Sequence, residues 1–158
     1  MYSSWIKRVS ALLLAGLMML SLVACGEAKE DAADAMTKEE YQQAVATLGE
    51  DMQEVVNRAA EVDTTDEGES TAVLEELKAP LEEFVTIVPP ESYAAGHEKV
   101  CEGCEALIDY IDIVISIIGT TDEEALNQAA EQMETAAEKA TTALQEGAEL
   151  LQQADETE

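Results

Sequence analysis

The sequence predicts an all-α protein, an up-down four-helix bundle that follows a signal peptide and a flexible tether. Aromatic residues make up only 4% of the 158 residues, while Ala, Glu, Leu, Gln and Thr dominate, which favours helices over sheets. Apolar residues also recur in alternating steps of three and four through four segments, a spacing that a strand of period two cannot produce. Short connections between these segments force sequential helices to run antiparallel.

Residues 1–24 have the layout of an export signal. Lys7 and Arg8 precede sixteen mostly apolar residues, and a small residue then stands next to a cysteine. The apolar stretch is shorter than the ~20 residues that cross a bilayer as a permanent helix. We therefore expect residues 1–24 to be removed after targeting.

The motif at the end of this signal is Leu-Val-Ala-Cys, residues 22–25, which resembles the bacterial lipobox. The resemblance implies that the Cys25 thiol receives a diacylglycerol and that the signal is cut just before it. Cys25 then becomes the mature N-terminus and holds the protein on the outer, extracytoplasmic face of a bacterial membrane. The alternative is a simple secretory signal that happens to be followed by a cysteine.

The chain that remains is strongly acidic. Removing residues 1–24 takes away two of the eight basic residues and none of the 35 acidic ones, so the mature chain is more negative than the whole sequence at −27. Such a surface repels phosphate groups, and nucleic acid is therefore not expected as a partner. Cations or a basic protein surface suit it better, although an acidic exterior also needs no partner to stay soluble.

The first helix is expected to begin after a tether that runs from the lipidated Cys25 to residue 36. Thr37 and Glu40 have the spacing of a capping box, in which each side chain bonds a free backbone N–H of the other residue. The bundle domain is predicted to span residues 37–154. Its first apolar stripe consists of Tyr41, Val45, Leu48, Met52, Val55, Ala59 and Val62.

The second helix is expected to follow the polar connection 63–70. Its apolar stripe consists of Leu74, Leu77, Leu81, Phe84 and Val88. Pro80 lies inside it, and because proline lacks the N–H that bonds one turn back, a kink or a break is expected there. A break would give five helices instead of four. The pair Pro89-Pro90 must end this segment.

The same proline pair is expected to open the third helix, because proline is favoured in a first helical turn. Gly119 is the expected stop signal. Between them, the apolar stripe consists of His97, Cys101, Cys104, Ile108, Ile111, Ile115 and Ile118.

A second capping box, Thr121 to Glu124, predicts where the fourth helix begins. Its stripe consists of Leu126, Ala130, Met133, Ala137, Ala140, Leu144, Gly147 and Leu151. Small residues on this stripe predict that a neighbouring helix approaches closely. Residues 155–158 are predicted to be a polar tail.

His97, Cys101 and Cys104 are the candidate site residues, because positions i, i+4 and i+7 of a helix share one face. Imidazole and thiolate groups in this pattern suit zinc or copper(I), with a fourth ligand such as Met52 or Met133 from another helix. A metal or haem site is one interpretation of this face.

Two other interpretations of the cysteines stay open. Cys101 and Cys104 are an even pair in a compartment that permits disulfides, and residues three apart in a helix lie within disulfide range. They are also explained as ordinary buried core residues, because cysteine is among the residue types most often buried. His97 then packs at the end of the bundle and bonds a carboxylate or a carbonyl.

The stretch PESYAAGH, residues 90–97, resembles an element of small helical envelope lipoproteins of uncharacterised function, mostly from Gram-positive bacteria. The resemblance implies a bundle-shaped lipoprotein with no assigned activity, in which Pro90, Tyr93 and His97 open a helix and have structural roles.

No enzyme activity is expected. The sequence has one histidine, no serine in a nucleophile elbow and no Gly-rich phosphate loop. The prediction is a membrane-anchored lipoprotein with a non-catalytic binding or scaffolding role, an unidentified envelope protein as its partner, and no cofactor besides the lipid on Cys25. The alternative is a metal or haem carrier that uses His97, Cys101 and Cys104.

Overall fold

The computed structural model describes residues 35–61 and 66–156, and the described residues are helical with no strand among them. The α-helices are α1 (Lys38–Ala59), α2 (Glu67–Phe84), α3 (Ala94–Ser116) and α4 (Glu123–Glu156), and a short 3-10 helix, Glu91–Tyr93, precedes α3. The predicted all-α class and the four helices are thereby confirmed. The predicted signal, Cys25 and nearly all of the tether lie outside the described residues.

The capping box predicted for the first helix is present. The Glu40 backbone N–H donates to the Thr37 hydroxyl oxygen at 3.3 Å, and the Thr37 backbone N–H donates to a Glu40 carboxylate oxygen at 2.8 Å. These two bonds satisfy backbone donors that no helical carbonyl can reach. The Thr37 backbone N–H and the Thr37 hydroxyl both donate to the Glu40 carboxylate, and these two bonds hold the pKa of that carboxyl below its ordinary value.

The fourth helix is capped one residue later than predicted. The Asp122 carboxylate, rather than the Thr121 hydroxyl, accepts from the backbone N–H groups of Glu124 and Ala125, at 2.9 and 3.3 Å. A carboxylate binds these donors more strongly than a hydroxyl does and also complements the positive end of the helix. At its other end α4 runs to Glu156 and includes the first two residues of the predicted polar tail.

Helix α2 is continuous through Pro80, so residues 35–61 and 66–156 contain four α-helices rather than five, and a kink at Pro80 stays a prediction. The helix ends at Phe84, ahead of Pro89-Pro90 as expected. Its predicted apolar stripe is wrong at the end, because Val88 lies beyond the helix and is 52% exposed. Val73 is buried on the helix instead.

The buried face of α3 differs from the predicted stripe. His97, Cys104 and Ile111 are buried, but the remaining predicted members are only partly buried. These are Cys101, Ile108, Ile115 and Ile118. Val100, Leu107 and Val114 are buried in their place, because α3 packs against both α2 and α4 and so buries a wider face than a single stripe.

Helices α3 and α4 form the most extensive helix pair, and they pack through glycine. A methyl group on Gly96 would meet the Leu151 side chain, and one on Gly103 would meet Leu144. A methyl group on Gly147 would lie 3.0 Å from the backbone nitrogen of Val100. Position 96 thus faces 151 and position 103 faces 144, so the two helices run antiparallel at close range.

Four helix termini meet at one end of the molecule. The ring centroids of Tyr41, at the start of α1, and Phe84, at the end of α2, are 6.1 Å apart. Lys38 in the first turn of α1 pairs with Asp155 in the last turn of α4 at 3.0 Å. We call this the tether end, because the predicted tether joins the domain here.

Away from this end, charged side chains link neighbouring helices. Arg58 of α1 pairs with Glu76 of α2, and Lys78 of α2 pairs with Asp112 of α3 at 2.8 Å. Helices thus contact in chain order, α1 with α2, α2 with α3 and α3 with α4. Within residues 35–61 and 66–156, no helix has the length and apolar character needed to cross a membrane.

The glycine contacts predict opposite effects of two Gly→Ala substitutions. Gly147→Ala should lower the free energy of unfolding by about 1–3 kcal/mol, because the added methyl group forces α3 and α4 apart. Gly49→Ala in α1 should raise it by up to about 1 kcal/mol, since nothing lies within 4 Å and alanine favours the helix. Urea unfolding of a soluble form that begins at Gly26 measures both. Equal effects of the two substitutions would contradict the close packing of α3 on α4.

Candidate functional site

The candidate residues lie in the first half of α3, at the tether end. His97 and Cys101 are one turn apart in the helix, and Cys104 follows on the buried side. His97 is 7% exposed and Cys104 is 1% exposed, whereas Cys101 is only partly buried. The structure therefore brings His97 and Cys101 together and places Cys104 in the core beside them.

Both ring nitrogens of His97 have partners. Nδ1 lies 3.1 Å from the Tyr41 hydroxyl oxygen, and Nε2 lies 3.2 Å from the Cys101 sulfur. A neutral imidazole has one donor and one acceptor, and the hydroxyl and the thiol can each fill either role. Either tautomer of the ring therefore satisfies both contacts.

Aromatic rings surround the imidazole. The Tyr41 ring meets it edge-on at a centroid distance of 5.5 Å, and the Phe84 ring lies 5.3 Å away. Burial in this setting lowers the pKa of His97, because a charged imidazolium loses its hydration; the backbone carbonyl of Ile87 opposes the shift. His97 is consequently held neutral.

The two thiols are also held in their neutral form. Burial raises the pKa of Cys101 to about 11, with a further increase from the nearby charges of Glu105 and Glu98. Burial raises the pKa of Cys104 to about 12. Both cysteines are free thiols in the structure. Since the thiolate is the reactive and metal-binding form, this environment suppresses both kinds of chemistry.

The ligand set of the predicted metal or haem site is only partly assembled. His97 Nε2 and the Cys101 sulfur lie close together. Among the described residues, however, no group of three or more His, Cys, Asp or Glu side chains is placed to hold a metal ion. Met52 and Met133, the predicted sources of a fourth ligand, are both buried in the core. The metal interpretation stays a prediction.

A second polar network, which the sequence analysis did not identify, lies beside His97. Lys38 is 6% exposed and pairs with Asp155. The fully buried Tyr93 donates its hydroxyl hydrogen to the same carboxylate and accepts from the Gln42 side chain at 3.2 Å. Burial, followed by the bond to Asp155, raises the pKa of Tyr93 to about 12.

No sequence signal marks this network, because its members are far apart in the sequence. Asp155 belongs to the predicted polar tail. The burial of Lys38 is not expected from the sequence either, because lysine is almost never fully buried unless it is paired. The Tyr41 and Tyr93 rings, 5.2 Å apart, join the network to the contacts of His97. We call Lys38, Tyr41, Tyr93, His97 and Asp155 the tether-end cluster.

The tether-end cluster joins the ends of several helices. It links α1, the 3-10 helix, α3 and α4 through hydrogen bonds, one ion pair and tilted or edge-on ring contacts. Within the described part of the chain, no buried side-chain nitrogen or oxygen lacks a hydrogen-bond partner. Such satisfied networks rigidify a core and specify one arrangement of it.

An open groove of about 320 Å³ lies between α1 and α2, near the end of α1. Arg58, Glu61, Glu69, Ala72, Val73 and Glu76 line it. Its one basic side chain, Arg58, is already paired with the Glu54 and Glu76 carboxylates. The groove thus exposes acidic side chains to solvent, and carboxylates balance the charge of Arg58.

Comparisons of the chain with protein-family models, with curated proteins and with solved structures find no match.

Burial of His97 predicts a loss of stability in mild acid. Because its folded pKa lies below the unfolded value of ~6.5, the unfolded chain takes up a proton that the folded chain excludes. The free energy of unfolding should therefore fall as the pH decreases through ~6.5, until the folded ring also becomes protonated. Urea unfolding of the form beginning at Gly26, at pH 7.5 and 5.5, measures this change.

The control for this prediction is His97→Gln, which cannot titrate in that range and removes the single histidine of the chain. The carboxylates titrate in both proteins, so only the difference between the two pH dependences is compared. An identical pH dependence of the two proteins would show that the His97 ring is accessible to protons in the folded state.

The thiol environment predicts slow alkylation. At pH 8, Cys101 should react with iodoacetamide on the order of 100-fold more slowly than a free thiol, because its raised pKa leaves little thiolate. Cys104 should react only after unfolding, since it is 1% exposed. Peptide mass spectrometry of the form beginning at Gly26 follows each site, and the same chain in urea gives the reference rates. Fast reaction of Cys104 in the folded domain would place it outside the core.

Proposed function

We propose that this chain is a lipid-anchored lipoprotein on the outer face of a bacterial membrane, with a non-catalytic binding or scaffolding role. Support for the anchor comes from residues 22–25, which resemble a lipobox, and from the charged and apolar segments that precede them. The acyl chains of a modified Cys25 would supply the membrane attachment, since two such chains are enough for stable anchoring.

The proposed architecture of the domain is an up-down-up-down four-helix bundle. It is supported by the antiparallel packing of α3 on α4. It is also supported by the tether end, where the starts of α1 and α3 meet the ends of α2 and α4. Connections of a few residues between α2, α3 and α4 suit this arrangement, because short loops join antiparallel neighbours.

The observation that carries the non-catalytic role is that both ring nitrogens of His97 already have partners. Its two nitrogens contact Tyr41 and Cys101, and both it and the thiol beside it are held neutral. A catalytic base or nucleophile needs a pKa near the working pH and a free approach for its substrate. Burial instead lowers the pKa of His97 and raises the pKa of Cys101. We therefore assign both residues a structural role.

The acidic exterior limits the partner. Nucleic acid and other phosphate-rich surfaces are disfavoured by a formal net charge of −27 for the whole sequence. A protein of the cell envelope with a basic surface fits best, because charge complementarity speeds encounter and fixes orientation.

The second candidate function is a metal or haem carrier that uses His97, Cys101 and Cys104. It is favoured by one observation, the 3.2 Å distance between the Nε2 atom of His97 and the Cys101 sulfur. In that function the thiols would lose their protons on loading, so metal affinity would rise with pH.

The lipid anchor is tested by the mass of the protein extracted from bacterial membranes. The wild-type chain should begin at Cys25 and carry a diacylglycerol, whereas Cys25→Ala should keep residues 1–24 and carry no lipid. Cys101→Ala is the matched control and should be lipidated normally, because its thiol lies in the folded domain. A wild-type chain cut elsewhere, or without lipid, contradicts the anchor.

The two candidate functions are separated by native mass spectrometry of the form beginning at Gly26, exported and purified without chelator or reductant. The binding or scaffolding role predicts the bare mass, because the tether-end cluster already satisfies His97. A stoichiometric metal or haem adduct that His97→Ala abolishes would establish the carrier instead. Gln43→Ala, a change on the exposed side of α1, should leave any adduct intact.

A further inference from the structure

The tether end carries an apolar patch on its outside. The patch consists of the exposed Val88 and four partly exposed residues around it, Met36, Ile87, Pro89 and Pro90, of which Met36 and Ile87 also pack against the core. Val88 is 52% exposed, more than any other large hydrophobic side chain in the described residues. No charged residue occurs from 85 to 90, although 27% of the whole sequence is charged.

The patch is connected to the proposed lipid anchor by a short piece of chain. The Met36 backbone N–H donates to the Val88 carbonyl oxygen at 3.0 Å, so the chain that comes from Cys25 enters the domain at the patch. Eleven residue steps separate Cys25 from Met36, and a fully extended chain covers at most about 3.6 Å per step. Met36, which is hydrogen-bonded to Val88, is therefore never more than roughly 40 Å from the lipidated residue.

We propose that this apolar patch is a membrane-contact surface that lies against the bilayer holding the lipid of Cys25. The inference rests on the proposed lipid anchoring. The bilayer is the occupant that the connection favours, because the chain from the anchor enters the domain at this end. The α3–α4 connection at the other end lies about 34 Å further from that entry point, the length of the 23-residue helix α3.

Because the domain is tethered to the membrane, a small apolar patch is sufficient for contact with the bilayer. Val88 alone offers little apolar area, and a free domain would not bind a membrane through it. With the domain already attached, contact becomes an intramolecular step at a high effective concentration, so weak apolar contact is enough to orient it.

The charges that surround the patch specify the kind of lipid surface. Glu82, Glu83 and Glu91 are exposed on either side of residues 85–90. Their carboxylates repel anionic head groups, and salt screens that repulsion over about 10 Å at 0.1 M. The patch therefore suits zwitterionic head groups, and its contact should weaken as the anionic lipid content rises.

Tryptophan fluorescence tests the proposal on the lipidated protein. The sequence has a single tryptophan, Trp5, within the predicted signal, so Val88→Trp introduces a unique probe into the mature chain. The matched control is Thr121→Trp, an exposed position in the α3–α4 connection. Each protein is reconstituted into phosphatidylcholine vesicles whose acyl chains carry bromine, a contact quencher.

The Val88→Trp probe should emit at shorter wavelength than the Thr121→Trp probe and should be quenched at least twofold more. Replacing half of the lipid by phosphatidylglycerol should reduce that difference. Equal quenching of the two probes in a lipidated sample would overturn the membrane contact and leave the anchor intact. The mass of the same sample reports the anchor, and a chain without lipid would overturn both proposals.

Discussion

Helices α3 and α4 lie so close along Gly96, Gly103 and Gly147 that a methyl group at any of these positions would overlap the opposite helix. This approach fixes the register of the pair, because each glycine accepts a neighbour that a longer side chain would exclude. Helix α2 packs on the α3 member of this pair, and α1 packs on α2 in turn. Interiors packed at this density transmit displacement, so the positions of all four helix ends depend on this contact.

The fixed register places the last turn of α4 beside the first turn of α1, where Lys38 and Asp155 form a largely buried ion pair. Bringing two charges out of water costs free energy that their attraction only partly returns, so such a pair contributes little net stability. Its effect is on specificity, because either charge left alone in the interior would be strongly unfavourable. Together with the Tyr93 hydroxyl, the pair allows only one alignment of these helix ends.

The same end of the molecule combines a polar interior with an apolar exterior. Inside, burial lowers the pKa of His97 and raises the pKa of Cys101, so both side chains favour their neutral forms. Outside, the exposed Val88 lies where the chain from Cys25 enters the domain. Both features fit the proposed lipoprotein, in which a rigid end next to the membrane orients an acidic helical surface toward its partner.

The sequence by itself determined the helical class, the N-cap of α1 at Thr37, and the shared face of His97 and Cys101, because caps and helical period are local properties. It did not determine which apolar neighbours are buried. Val100 is in the core and Cys101 is at its margin, since α3 contacts helices on two sides. Only the tertiary structure brought Tyr41 to the His97 ring. A hydrogen bond between residues far apart in the chain depends on how the helices pack, which no local pattern encodes.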